Sequence, residues 1–195
     1  MEKTGDTKRD IITATVELAQ QNGLENVTVK DICDSLGISK GTFYVYFHNI
    51  EEAIGRTYSY HEERKAQKLP EILLHYDDPM DQFWELAKMD IERHIQIGPR
   101  ILGRVTMLNV NEDTLQVDGE LPTSFKAYVS LIGKMQQEKE IQNMTDPFLL
   151  FKILISAMFG IDIRWSHTPD SFDYKRECYD TCRGLLLPVK EPANY

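Results

Sequence analysis

Ser39, Lys40, Gly41, Thr42, Tyr44 and Tyr46 crowd into one short stretch, SKGTFYVY, with Thr28 a little upstream. Hydroxyl and ammonium donors at this density suit hydrogen bonding to phosphate oxygens or base edges. On a helix advancing about 100° per residue, Phe43 and Phe47 point one way and Gly41, Thr42 and Val45 the other, flanked by Tyr44 and Tyr46. A solvated helix face normally carries Glu, Lys and Gln. This face fits a helix laid in the major groove, where Gly41 lets DNA approach the backbone and Thr42 and the tyrosines donate to it. Ser39 and Lys40 fall at the helix N-terminus, where the dipole favours phosphate. The same periodicity also describes a helical hairpin with Tyr44 and Tyr46 as half-buried core aromatics, and spacing alone leaves both readings open.

The elements that must hold this face are legible from Val27 to Asn49. Thr28 caps a helix, and Asp31, three residues on, completes a capping box. Val29, Ile32, Cys33 and Leu36 make its apolar stripe. Gly37 supplies the left-handed residue that ends it. Ile38 plugs the corner, and Ser39 caps a second short helix to about Phe47. Phe43 and Phe47 close onto Ile32 and Leu36, giving a helix-turn-helix. A preceding helix is predicted from Thr7, capped with Asp10, to Asn22, with Ile11, Ile12, Thr15, Leu18 and Ala19 as its buried stripe. Lys8 and Arg9 on it either reach the DNA backbone or are plainly solvated.

The ordered run Thr28-Val29-Lys30-Asp31-Ile32, then Leu36-Gly37-Ile38-Ser39-Lys40-Gly41-Thr42-Phe43-Tyr44-Val45-Tyr46-Phe47, resembles the TetR family of bacterial transcriptional regulators. That family's signature is a Thr-Val-x-x-Ile helix, an Ala/Leu-Gly-Val/Ile-Ser corner, then Gly-Thr-Leu/Phe-Tyr-x-Tyr/His-Phe. The resemblance spans Lys8 to Ile54; beyond it, only length and helical character are shared. It implies a homodimer on a palindromic operator in double-stranded DNA, mostly a repressor, released when a small molecule enters the C-terminal domain. By motif position it implies DNA contacts from Thr28, Ser39, Lys40, Gly41, Thr42, Tyr44 and Tyr46. One departure stands out. Where the family usually has a phosphate-contacting lysine, this chain has Ile50, followed by Glu51 and Glu52.

A net charge of −9 weighs against nucleic-acid binding. The first fifty residues hold five Lys or Arg against seven Asp or Glu, so binding must rest on a local patch. The apolar content fits a globular protein with a real core. There is no apolar N-terminal run after a basic start, and the most apolar stretch, Phe148 to Trp165, is broken by Lys152, Asp162 and Arg164. A cytoplasmic protein with no membrane partner is expected. Of the cysteines Cys33, Cys178 and Cys182, the last two lie at i, i+4, as buried structural thiols or, less simply, as a metal or redox site.

The chain is predicted to be all-α: a three-helix DNA-binding module over residues 1–50 and a larger ligand-binding and dimerisation domain over 51–195. Asn49 with Glu52 caps a joining helix from Ile50 to about Lys68, whose charged end, His61 to Lys68, reads as solvated. Asp78-Pro79 starts a helix ending at Ile97-Gly98, and Pro99 opens another to about Leu108. Asn109 to Leu121 reads as a loop. Helices follow from Pro122 to Glu138, Asp146-Pro147 to Trp165, and Ser171 to Leu187. The Phe148–Trp165 helix is apolar nearly all round, which suggests burial on both sides and hence a dimer interface, or a central helix in a monomer. Phe83, Trp84, Met89, Met107, Phe125 and Tyr128 are candidates to line a ligand cavity, or are ordinary core. No glycine-rich phosphate loop, His-Glu-x-x-His or Gly-x-Ser-x-Gly is present, so the chain does not read as an enzyme, and no cofactor or metal is implied. The reading is a ligand-released transcriptional repressor; a helical protein-interaction module or a helical enzyme is the alternative.

Overall fold

The helices begin where side chains satisfy the free amides of a first turn. The structure, a computed structural model, describes residues 6–111 and 122–190. Helix α1 (Thr7–Asn22) starts on Asp6, whose carboxylate accepts from the Arg9 amide at 3.2 Å. The cap therefore sits one residue before the predicted Thr7, because Asp10 is turned inward and buried. In α2 (Val29–Leu36) the Thr28 hydroxyl accepts from the Asp31 amide at 3.2 Å while Asp31 accepts from the Thr28 amide at 2.9 Å. Gly37, at φ 63°, turns the chain, and Ser39 caps α3 (Lys40–Tyr46) by accepting from the Thr42 amide at 3.0 Å.

Helix α4 (Ile50–His75) is capped by Asn49, which accepts from the Glu52 amide at 2.7 Å. It continues past the predicted end at Lys68 and through Pro70. Proline removes one backbone hydrogen bond, but Ile72 is buried and Leu69 half-buried against the C-terminal core, which holds the last turns. The expectation that His61 to Lys68 is solvated holds for Glu63, Arg64, Gln67 and Lys68 but fails at three positions. His61, Glu62 and Lys65 are buried, the lysine side chain 2 % exposed. Their charges are met by partners from distant helices, described below.

The remaining helices are α5 (Pro79–Ile97), α6 (Pro99–Asn111), α7 (Thr123–Gln137), α8 (Pro147–His167) and α9 (Tyr174–Leu186). Asp78 and Asp146 cap α5 and α8 ahead of their N1 prolines. Helix α6 runs three residues beyond its expected end, and most of the predicted Asn109–Leu121 loop lies outside the described residues. Helix α9 starts later than Ser171 because Pro169–Ser171 forms a 3-10 turn and Asp173 is the cap. The fold is all-α; among the described residues the sole extended pairing is one antiparallel bridge, Ile141 to Pro188.

Two apolar cores organise the chain. The first joins α1 to α3 with Ala53 and Ile54 of α4, then continues into Ile101, Leu102 and Val105 of α6 and Ile161 and Trp165 of α8. The second lies among α5, α7, α8 and α9, with Phe83, Leu86, Phe125, Leu131, Phe151 and Leu186 at its centre. Helix α4 borders both. Its first turn is tied to α6 by a Glu51–Arg104 ion pair. No described helix is long and apolar enough to cross a membrane.

Candidate nucleic-acid interface and buried cavity

Phe43 and Phe47 are buried under α3, so the opposite face is presented outward. Tyr44 is 53 % exposed and Val45 78 %, with Tyr46 beside them. These are large side chains to leave in water, and the core-aromatic reading of the tyrosines does not hold. Gly41 is exposed as well, and a Cβ built there would meet only Ser39 Oγ at 3.4 Å. Among the described residues nothing therefore demands glycine at this position. Lys40 is exposed, while the hydroxyls of Ser39 and Thr42 lie 2.9 Å apart. Thr28 Oγ1 donates to Asp31 at 2.6 Å, so its hydroxyl is committed to the α2 cap. Arg9 stacks over the Tyr60 ring of α4 at 5.1 Å. Ile50 is half-buried against the first core, with the Glu52 carboxylate bound to the His48 amide at 2.8 Å.

The second feature is a cavity of about 80 Å³ enclosed by α4, α5, α7, α8 and α9. Phe83, Ala87, Phe125, Phe151, Leu154 and Met158 supply apolar wall. The other wall is ionic. Asp90 Oδ1 faces His61 Nε2 at 2.9 Å and Lys65 Nζ at 2.8 Å, and Tyr128 OH donates to Oδ2 at 2.7 Å. Lys65 also pairs with Glu62 at 2.6 Å, and Ser124 donates to that glutamate. Burial alone would raise the Asp90 pKa, but Lys65 and His61 outweigh it and hold the carboxyl well below its ordinary range. Burial alone would lower Lys65; Asp90 and Glu62 more than reverse this, so it stays charged.

A second network adjoins the first. Tyr174 OH donates to Asp162 Oδ1 at 2.7 Å, so His94 Nδ1, 2.7 Å from the same phenol oxygen, donates to it. Thr106 donates to Asp162 Oδ2 at 3.1 Å. Tyr128 and Tyr174 are both pushed well above the usual phenol range, by burial first and then by Asp90 and Asp162 respectively. Together the two networks bind α4 to α5 and α7, and α5 to α6, α8 and α9. Asp90, with Glu62 beside it on Lys65, and Asp162 are the hubs, which makes the arrangement a set of interlocked clamps between helices.

Residues 11–53 match the family model for bacterial regulatory proteins of the tetR family. That match covers the helix-turn-helix and the start of α4. The chain is 26 % identical over 169 residues to the fatty acid metabolism regulator protein of Bacillus subtilis (strain 168), covering 84 % of this chain and 85 % of that one. Its fold resembles that of the fatty acid degradation regulator FadR from Bacillus halodurans (TM-score 0.68, 19 % identity, 95 % and 97 % of the two chains). It also resembles Thermus thermophilus FadR, a repressor solved with lauroyl-CoA (TM-score 0.65, 17 % identity, 96 % and 98 % coverage).

The six residues singled out for a ligand cavity divide. Phe83, Phe125 and Tyr128 line it. Trp84 is buried but turned to Phe83 and Tyr179, and Met89 is half-buried in the second core outside the lining. Met107 is 49 % exposed on α6 and is corrected to a surface residue, because the apolar face of α6 is formed by Ile101, Leu102 and Val105. The ionic wall was missed. Asp90 and His94 stand at i, i+4 on the α5 stripe, and charged residues on an apolar stripe are the signal that was available. Cys178 and Cys182 are buried free thiols; burial pushes Cys182 up to about 12, so it is no reactive thiolate. Among the described residues no group of His, Cys, Asp and Glu is arranged to hold a metal.

Proposed function

We propose that the chain is a cytoplasmic homodimeric repressor, reading a palindromic operator through α3 and released by an acyl compound in the α4–α9 cavity. Residues 1–50 form the DNA-binding part and 51–195 the effector and dimer part, with Ser39, Lys40, Gly41, Thr42, Tyr44 and Tyr46 against the DNA. Thr28 acts by holding α2. The observation that carries the reading is the outward face of α3, a set of large and hydroxyl-bearing side chains left exposed among the described residues.

The dimer rests on α8 and α9. One side of α8 is in the core, while Leu149 and Ile153 are exposed on the other. Gly160 of α8 and Gly184 of α9 are exposed, with nothing of their own chain near a built Cβ. Glycine in a helix interior costs about 1 kcal/mol, and a second copy's helix passing close would account for both. Four helices, two from each copy, then form the interface.

The acyl effector is supported by the apolar lining and by the relatives named for fatty acid regulation. The cavity is far below the roughly 300–1,000 Å³ of drug-sized ligand sites. At about 80 Å³ it holds a long acyl chain only if the helices around it part, and α4, clamped at Asp90, leads from there to the DNA module. The test is an operator gel shift with long-chain acyl-CoA added. Protein should leave the DNA as ligand rises, and Tyr44→Phe should weaken binding to specific and random DNA alike without altering the melting temperature. Wild-type protein that ignores its own promoter DNA would sink the reading.

A further inference from the structure

We propose that Thr57, Tyr60, Arg64 and Arg93 form a site for the phosphate-bearing head of an amphiphile whose apolar part occupies the central cavity, an inference that rests on the effector reading above. Thr57 is 1 % exposed, and its Oγ1 has no hydrogen-bond partner. Several other hydroxyls on the helices find an acceptor, as Thr15 does in the Ile11 carbonyl at 2.7 Å, Ser156 in that of Lys152 at 2.8 Å and Thr106 in Asp162 at 3.1 Å. Thr57 does not. One turn on, the Tyr60 hydroxyl is also buried without a partner. Buried donors left without acceptors are costly, and two on adjoining turns are unusual.

Arg64 and Arg93 bring two positive charges near them, while the Asp162 carboxylate across the small cavity is already held by Tyr174 and Thr106. Thr57, Tyr60 and Arg64 share a face of α4 by their spacing. Arg93 comes from α5, half-buried, and lines a second small cavity with Thr57, His61, His94 and Asp162. Among the described residues neither Arg64 nor Arg93 has a carboxylate within ion-pair distance. Arg93 is pushed below its ordinary pKa by burial first and then by Arg64. Two guanidinium forks and two hydroxyls ask for more acceptor atoms than one carboxylate offers. The phosphates of such a head, whether a pyrophosphate diester or a terminal monoester, offer several free anionic oxygens and meet the demand.

The small cavity and the central one share Tyr58, His94, Phe159 and Asp162 as a common wall. Side chains alone divide them, so an amphiphile lodged in the centre reaches Arg93 by displacing that wall, and Arg64 lies beyond at the surface. Tyr60 also carries the Arg9 guanidinium of α1 over its ring at 5.1 Å. An anion drawn in beside Tyr60 therefore competes for Arg9 and disturbs the seat of the DNA-binding module.

The test is calorimetric titration of the full chain with lauroyl-CoA and with phosphate-free lauroyl pantetheine. It compares wild type, Arg64→Gln at its exposed position, and the Arg64→Gln/Arg93→Gln double variant. Wild type should prefer lauroyl-CoA by about tenfold or more, the single variant less, and the double variant should bind both ligands alike. Operator affinity without ligand should be unchanged in all three. A preference kept by the double variant overturns the proposal, as does an equal loss for both ligands, which would mark a structural role. A fall in ligand-free operator affinity overturns it too, by assigning these arginines to DNA. If wild type binds neither ligand, the acyl reading fails by itself, and inorganic pyrophosphate then decides the site: a raised melting temperature in wild type, absent from the double variant, supports it, and no shift in wild type overturns it.

Discussion

Lys65 Nζ lies 2.8 Å from Asp90 Oδ1, joining α4 to α5 with only 2 % of the lysine side chain exposed. Asp90 also accepts from the Tyr128 hydroxyl and is the partner of His61. Removing one side of a buried ionic group leaves the other uncompensated, at about 3–5 kcal/mol. Asp90→Ala should lose about 3 kcal/mol in urea denaturation, and because the clamp holds α4, its residual operator binding should respond less to effector. A variant as stable as wild type would show that Glu62 alone satisfies Lys65.

Gly41→Ala separates stability from recognition. The added methyl meets only Ser39 Oγ at 3.4 Å, and alanine favours helix over glycine by up to about 1 kcal/mol. The variant should melt at the same temperature or higher, yet bind operator more weakly. Unaltered DNA affinity would mean that DNA does not approach α3 at this residue.

Ile50 occupies the position where the family pattern has a phosphate-binding lysine. Here it is half-buried on the first core, Glu51 is paired with Arg104, and Glu52 closes the His48 amide. Ile50→Lys should therefore cost about 1 kcal/mol of packing and leave the slope of log affinity against log salt unchanged. Were the side chain to reach a phosphate, the slope would steepen by about 0.9. Binding titrations at several salt concentrations, with melting curves, distinguish the two.

His94 makes stability depend on pH. Burial alone would lower its pKa, but Asp162 first and then Asp90 outweigh burial and the opposing Lys65, leaving it above the ordinary 6.5. Tyr174 of α9 bonds the same ring. A raised folded pKa means the stabilisation is complete below about 6.5 and is lost as pH rises through the folded value. Urea midpoints should fall from pH 6 to 8.5 in wild type and fall less in His94→Gln. Parallel curves would show that folding leaves the His94 pKa at its unfolded value.

The helix-turn-helix was legible because its determinants are local. Thr28 with Asp31, Gly37 and Ser39 act within a few residues, and their types announce the geometry. The caps at Asp78 and Asp146 are equally local. Lys65 was not legible, since its partner Asp90 lies on another helix and a run such as His61-Glu62-Glu63-Arg64-Lys65 has the composition of a solvated face. Nothing within that run shows which members point inward. The end of α4 was missed for a related reason: Pro70 and the charges before it argue for a stop, and only the distant core under Ile72 overrules them.

The cavity, at about 80 Å³, bears on how sharply a gene under this protein would open. If an acyl chain must force the helices apart to enter, part of its contact energy is diverted into that work, and the work is greater when DNA holds α4 in place. Linkage makes the effect mutual: operator weakens effector binding by the same factor as effector weakens operator binding. Effector affinity measured on free protein is then the tighter of two values, and protein already seated on DNA ignores traces of ligand that would saturate it in solution.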